Sequence, residues 1–133
     1  MLKYMLDTNI VIYVIKRKPI EVLEKFNQNA LRICMSSITY AELIYGVEKS
    51  TKATHNLRYV EDFISRLEVL DYGMKAANHY GEIRSNLEKA GKPIGPNDLH
   101  IAAHARSEGL VLVSNNLKEF NRVDGLRLEN WLK

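Results

Sequence analysis

The chain has 133 residues, 46% hydrophobic and 26% charged, which suits one compact domain over residues 1–133 and excludes a disordered polymer. Its net charge of +3 and pI near 9.0 permit a nucleic-acid partner without establishing one. The single cysteine, Cys34, rules out an intramolecular disulfide, and no segment reaches the ~20 apolar residues of a membrane span, so a cytoplasmic location is expected.

Residues 2–6 read as a short strand. Asp7, Thr8 and Asn9 then offer helix caps, and the apolar run 10–15 continues as a helix. Pro19 suits the first turn of a second helix through Phe26. A second strand is expected at 32–36, with Cys34 as a small core residue, followed by a helix over 38–49. Leu57, Val60, Phe63, Ile64 and Leu67 recur at spacings of three and four, the mark of one helix face. Val69 and Leu70 add a small strand, and residues 74–90 a helix that stops at Gly91. Pro96 opens a helix to Ser107 that Gly109 closes. Residues 110–113 form a buried strand, Ser114-Asn115-Asn116 its turn, and 126–131 an edge strand anchored by Trp131. The alternation predicts an α/β fold, a mainly parallel central sheet flanked by helices.

Three acids stand at element boundaries in this scheme: Asp7, Glu42 and Asp98. Each has a structural reading as well. Asp7 is a natural N-cap, Glu42 completes a capping box with Thr39, and Asp98 complements the dipole of its helix. A parallel sheet, however, gathers such positions at the carboxyl ends of its strands. Carboxylates ~4 Å apart repel by roughly 4 kcal/mol per pair at an effective dielectric of ~20. A divalent cation removes that cost, and hard oxygen ligands point to Mg²⁺ or Mn²⁺. A metal-coordinated water and a nearby carboxylate base would then hydrolyse a phosphodiester in line. Ser114 and Asn116 supply polar groups to the same edge, to hold a water or complete the metal shell.

Four stretches carry a family resemblance: Met5-Leu6-Asp7-Thr8-Asn9-Ile10, Ser36-Ser37-Ile38-Thr39-Tyr40-Ala41-Glu42-Leu43, Pro96-Asn97-Asp98-Leu99-His100-Ile101-Ala102-Ala103 and Leu112-Val113-Ser114-Asn115-Asn116-Leu117-Lys118-Glu119-Phe120. In order and spacing the whole chain resembles the PIN-domain ribonucleases, specifically the VapC-type toxins of bacterial toxin–antitoxin pairs. The resemblance implies a PIN fold and Mg²⁺- or Mn²⁺-dependent endoribonuclease activity, with Asp7, Glu42 and Asp98 as the metal-binding and catalytic acids. It also implies a cognate antitoxin of the VapB type whose C-terminal segment covers the active groove, dimerisation with larger toxin–antitoxin assemblies, and cleavage of initiator tRNA in its anticodon region. One departure stands out. Many PIN domains carry a fourth acid in the turn after the late strand, where this chain has Asn116. A neutral amide there weakens the case for a second bound ion. It also motivates one rival, a non-catalytic PIN-like binding module; a second, a metal-dependent deoxyribonuclease, stays open because a water nucleophile does not require the ribose 2′-OH.

Other features carry less. His100 and His104 lie at i and i+4 on one helix face, but Ile101 stands where a zinc peptidase needs its Glu, so packing or surface roles are expected. Lys16-Arg17-Lys18, Arg84, Arg122 and Arg127 are candidates for phosphate contact. Tyr13, Tyr40, Tyr45, Tyr80 and Trp131 are candidates for stacking on unpaired bases.

Overall fold

The computed structural model describes residues 1–132. Five strands form one sheet: β1 (Tyr4–Leu6), β2 (Ile33–Ser36), β3 (Glu68–Leu70), β4 (Val111–Val113) and β5 (Arg127–Glu129). Their order is β3-β2-β1-β4-β5 and every neighbouring pair is parallel. Seven helices connect them: α1 (Thr8–Lys16), α2 (Ile20–Gln28), α3 (Ser37–Glu48), α4 (Ala53–Ile64), α5 (Met74–Lys89), α6 (Pro96–Ser107) and α7 (Leu117–Phe120).

The strand alternation divides the core. Tyr4, Leu6, Ile33, Met35, Val111 and Val113 face one side, where they pack with residues of α1 to α4. Met5, Cys34 and Leu112 face the other, with residues of α5, α6 and α7. The central strands are therefore apolar throughout, as a sheet covered on both faces requires. Trp131 is buried edge-on against Tyr4, with ring centroids 5.2 Å apart, and so anchors the segment after β5.

Glycine stops two helices as the sequence predicts. Gly91 and Gly109 have φ of +68° and +67°, the left-handed conformation that glycine adopts without strain. In each case the following amide reaches back to the third-last helical carbonyl, Lys92 to Leu87 (2.9 Å) and Leu110 to Ala105 (3.0 Å).

Four local expectations shift. Pro19 is the N-cap of α2 rather than a residue of its first turn. Leu67 lies beyond the end of α4. The Thr39–Glu42 capping box does not form, because α3 starts earlier: Ser36 is its N-cap, and Ser36 Oγ accepts from the Ile38 amide at 3.0 Å. Thr39 is instead buried inside the helix. Finally, the four-residue α7 occupies a segment without a periodic pattern to announce it.

Candidate active site

The strand order reverses at β1. The chain runs outward through β2 and β3, then returns to lay β4 on the other side of β1. Open parallel sheets bind ligands outside the carboxyl ends of their strands at such a reversal. Asp7 follows β1 there and Ser114 follows β4, paired in register through Leu6 and Val113.

Asp7 caps α1, its Oδ1 accepting from the Thr8 amide at 2.7 Å, so the capping reading holds. Its other oxygen, Oδ2, accepts from Ser114 Oγ at 2.7 Å, and both residues are buried. Ser114 Oγ in turn accepts from the Asn116 amide at 2.9 Å. The serine hydroxyl is thus engaged in fixing Asp7 and the turn.

Glu42 lies in the second turn of α3. Its Oε1 accepts from Thr8 Oγ1 at 2.5 Å and its Oε2 from Asn97 Nδ2 at 2.9 Å. Glu42 therefore bridges the starts of α1 and α6 instead of capping its own helix. Asp98 occupies the first turn of α6, as expected for a helix opened by Pro96.

A fourth carboxylate was not foreseen. Glu119, in α7, accepts from Asn116 Nδ2 at 2.6 Å and is close enough to raise the proton affinity of both Asp7 and Asp98. The departure at Asn116 is thus offset three residues later: the amide holds a glutamate at the same edge. A Glu three residues into the segment after Asn116 was the only sequence signal, and a helix of one turn gives no periodicity to support it.

The electrostatics are those of uncompensated negative charge. Burial is the largest influence raising Asp7, with Glu42 and Glu119 adding to it against the Ser114 and Thr8 hydrogen bonds. Burial also leads for Asp98, followed by Asp7, Glu119 and Glu42, and together they push its carboxyl up to about 6. Among the described residues, none of the four acids forms a salt bridge with Lys, Arg or His. Among the described residues, no three carboxylate, imidazole or thiolate side chains are placed to hold a metal ion together. The atoms these acids offer are all oxygens, the donor type that Mg²⁺ and Mn²⁺ take with few protein carboxylates and several waters.

The histidines stand apart from this chemistry. His104 is buried, its Nδ1 2.8 Å from Ser36 Oγ, and burial lowers its proton affinity. His100 Nδ1 lies 2.8 Å from Tyr72 Oη. Cys34 is fully buried and its thiol is pushed up to about 12, which suits a core residue.

A groove of about 1150 Å³ opens beside the acids. Its lining includes Thr8 and Glu42, apolar residues such as Ile12, Ile15, Val47 and Phe63, and the positive charges of Lys16, Arg17, Lys18 and Arg58. The basic run at the end of α1 thus lines the same groove as Glu42, and residues of α1 and α4 flank that opening.

The sequence matches the PIN domain over residues 4–126. The chain belongs to the PIN-domain family. Within that family it belongs with the VapC ribonucleases. It is 66% identical to Ribonuclease VapC2 of Haemophilus influenzae over 99% of this chain and 100% of that one. It is 58% identical to the tRNA(fMet)-specific endonuclease VapC of Salmonella typhimurium, over 98% and 99% of the two chains. The crystal structure of DNA-bound VapBC from Salmonella typhimurium contains a chain that superposes with a TM-score of 0.95 at 58% identity, covering 98% of this chain and 99% of that one. The PIN domain thus carries Asp7, Glu42 and Asp98 at one sheet edge, together with Glu119.

Proposed function

We propose that this chain is the toxin of a toxin–antitoxin pair and acts as a Mg²⁺- or Mn²⁺-dependent endoribonuclease. The observation that carries the reading is that four carboxylates from four chain segments act on one another at the sheet's reversal point, none of them in a salt bridge among the described residues. Asp7 and Asp98 would hold the ion, and Glu42 would bind it directly or through a water. When bound, the cation would acidify a water and neutralise charge on a phosphate. The chain's own groups do the rest. Ser114 and the Thr8 amide fix the orientation of Asp7. Thr8 and Asn97 fix both oxygens of Glu42, which takes up the proton released by the attacking water. Asn116 holds Glu119 toward Asp7 and Asp98.

Similarity to a relative named for tRNA(fMet) cleavage supports tRNA, with initiator tRNA first, as the substrate, and loss of translation as its consequence. Similarity to a chain from a VapBC complex supports a VapB-type antitoxin partner. Its segment would lie in the apolar groove that ends at Glu42, and the chain would work in the cytoplasm as a dimer within larger assemblies. No helix is long and apolar enough to cross a membrane among the described residues. The binding-module reading rested on the missing acid at Asn116, and Glu119 removes that motive. The deoxyribonuclease reading is tested by incubating the purified protein and Mg²⁺ with matched RNA and DNA hairpins. Cleavage of RNA alone supports the proposal, and equal cleavage of DNA would overturn its substrate class.

A further inference from the structure

A second recess lies beside the first turn of α6. It measures about 260 Å³, and its lining includes Tyr80, Arg84 and Glu88 together with apolar walls from Leu87, Ile94, Pro96 and Leu99. Pro96 and Leu99 flank Asp98 on α6, so the recess and the acids share the first turn of one helix. The groove is bounded by Glu42 and the recess by the chain neighbours of Asp98, so each opening adjoins one of the acids.

Tyr80 is held in place by its surroundings. Its ring stacks on His100 at a centroid distance of 4.3 Å and an interplanar angle of 7°. His100 is itself fixed, edge-on to Tyr72 and with Nδ1 2.8 Å from Tyr72 Oη. Arg84 Nη1 donates to Tyr80 Oη at 2.9 Å, and Arg84 Nε donates to Glu88 Oε2 at 2.9 Å. An ordered aromatic ring, an exposed guanidinium plane and apolar walls are the groups on which proteins seat unpaired bases. Because the ring is ordered beforehand, binding gives up little side-chain entropy. Arg84 is paired with Glu88, so it offers the base the plane of its guanidinium rather than a net positive charge.

We infer that this recess, built on Tyr80 and Arg84, is a subsite for an unpaired base of the RNA adjacent to the cut. The inference rests on the ribonuclease reading and adds a specificity element to it. A strand entering past Lys16, Arg17 and Lys18 would cross Glu42 and Asp98 and place a flanking base beside Tyr80.

The test pairs protein and RNA deletions. Substrate RNAs with one abasic nucleotide at each position near the cut are compared on the wild type, Tyr80→Ala and Tyr80→Phe, with folding checked by circular dichroism. At one position, base removal should lower wild-type kcat/KM about tenfold, as expected for a lost stacking contact. Tyr80→Ala should be about tenfold slower on intact RNA and show no further loss on that abasic substrate, while Tyr80→Phe should keep the full abasic penalty. Should Tyr80→Ala misfold, Arg84→Gln, at an exposed position, should reduce the same penalty. An abasic penalty unchanged in Tyr80→Ala and Arg84→Gln would overturn the subsite and leave the nuclease standing. Absence of RNA cleavage by the wild type would overturn both.

Discussion

Ser114 donates its hydroxyl proton to Asp7 Oδ2 across 2.7 Å, joining residues at the carboxyl ends of adjacent strands β4 and β1. Both side chains are buried, so this bond fixes a carboxylate that water scarcely reaches. Ser114→Ala should cost about 1–3 kcal/mol of stability in metal-free protein, the usual penalty for an unpaired buried polar group. It should also raise the Asp7 carboxyl further and weaken Mg²⁺ binding. Urea unfolding and calorimetric Mg²⁺ titration check the two effects, and a variant unchanged in both would show that the bond has no positioning role.

Thr8 does for Glu42 what Ser114 does for Asp7. Thr8→Val keeps the shape and removes the donor to Glu42 Oε1. A hydrogen bond to a charged group contributes about 1.5–3 kcal/mol, so cleavage should slow by roughly ten- to a hundredfold with the fold intact. Combined with Glu42→Gln, the two losses should not add, since both act through one group. Additive losses would place Thr8 outside the path to Glu42.

Glu119 is the acid that the sequence pattern hid. Glu119→Gln should leave folding intact and lower the proton affinity of Asp98, because one of the like charges facing it is gone. Mg²⁺ affinity should fall about tenfold, and excess Mg²⁺ should restore most of the activity. Activity lost at all Mg²⁺ concentrations would instead give Glu119 a direct part in the chemistry.

The pH response follows from the raised carboxyls. Asp98 moves from 3.8 to about 6 on folding, so between those values the folded chain binds more protons than the unfolded one. Its contribution to stability is present at low pH and is lost as pH rises through about 6. Asp7 shifts in the same direction. Asp98→Asn removes the charge, so in metal-free protein the variant should gain Tm over the wild type at pH 7.5, lose about half of that advantage at pH 5 and most of it at about pH 4. Mg²⁺ should raise the wild-type Tm far more at pH 7.5 than at pH 5. A Tm difference independent of pH would contradict the repulsion described for these acids.

The parallel sheet and three of its acids were legible because the three central strands are short buried, mostly apolar runs followed by a cap residue or a polar turn. Asp7 and Asp98 sit where local rules put them, one a cap and one in a first helical turn. Glu42 was found for its position and misread in its local role. Ser36, Ser37 and Thr39 offer three hydroxyls in one stretch, and only the end of β2 decides that Ser36 caps α3. That leaves Glu42 free for Thr8 and Asn97, both distant in sequence. α7 was illegible because one helical turn has no period to detect, and its anchor, the fully buried Phe120, makes its contacts only in three dimensions.

The central claim is that Asp7 and its neighbouring acids act through a metal to cut RNA. The most direct measurement is cleavage of a total tRNA pool by the purified protein free of antitoxin, with Mg²⁺, beside EDTA and Asp7→Asn controls, with every new end mapped. A discrete cut that is lost in EDTA and reduced at least about a hundredfold in Asp7→Asn is the predicted result. Cleavage that persists in EDTA or in Asp7→Asn would contradict the account, as would a folded, Mg²⁺-supplied protein that leaves the whole pool intact.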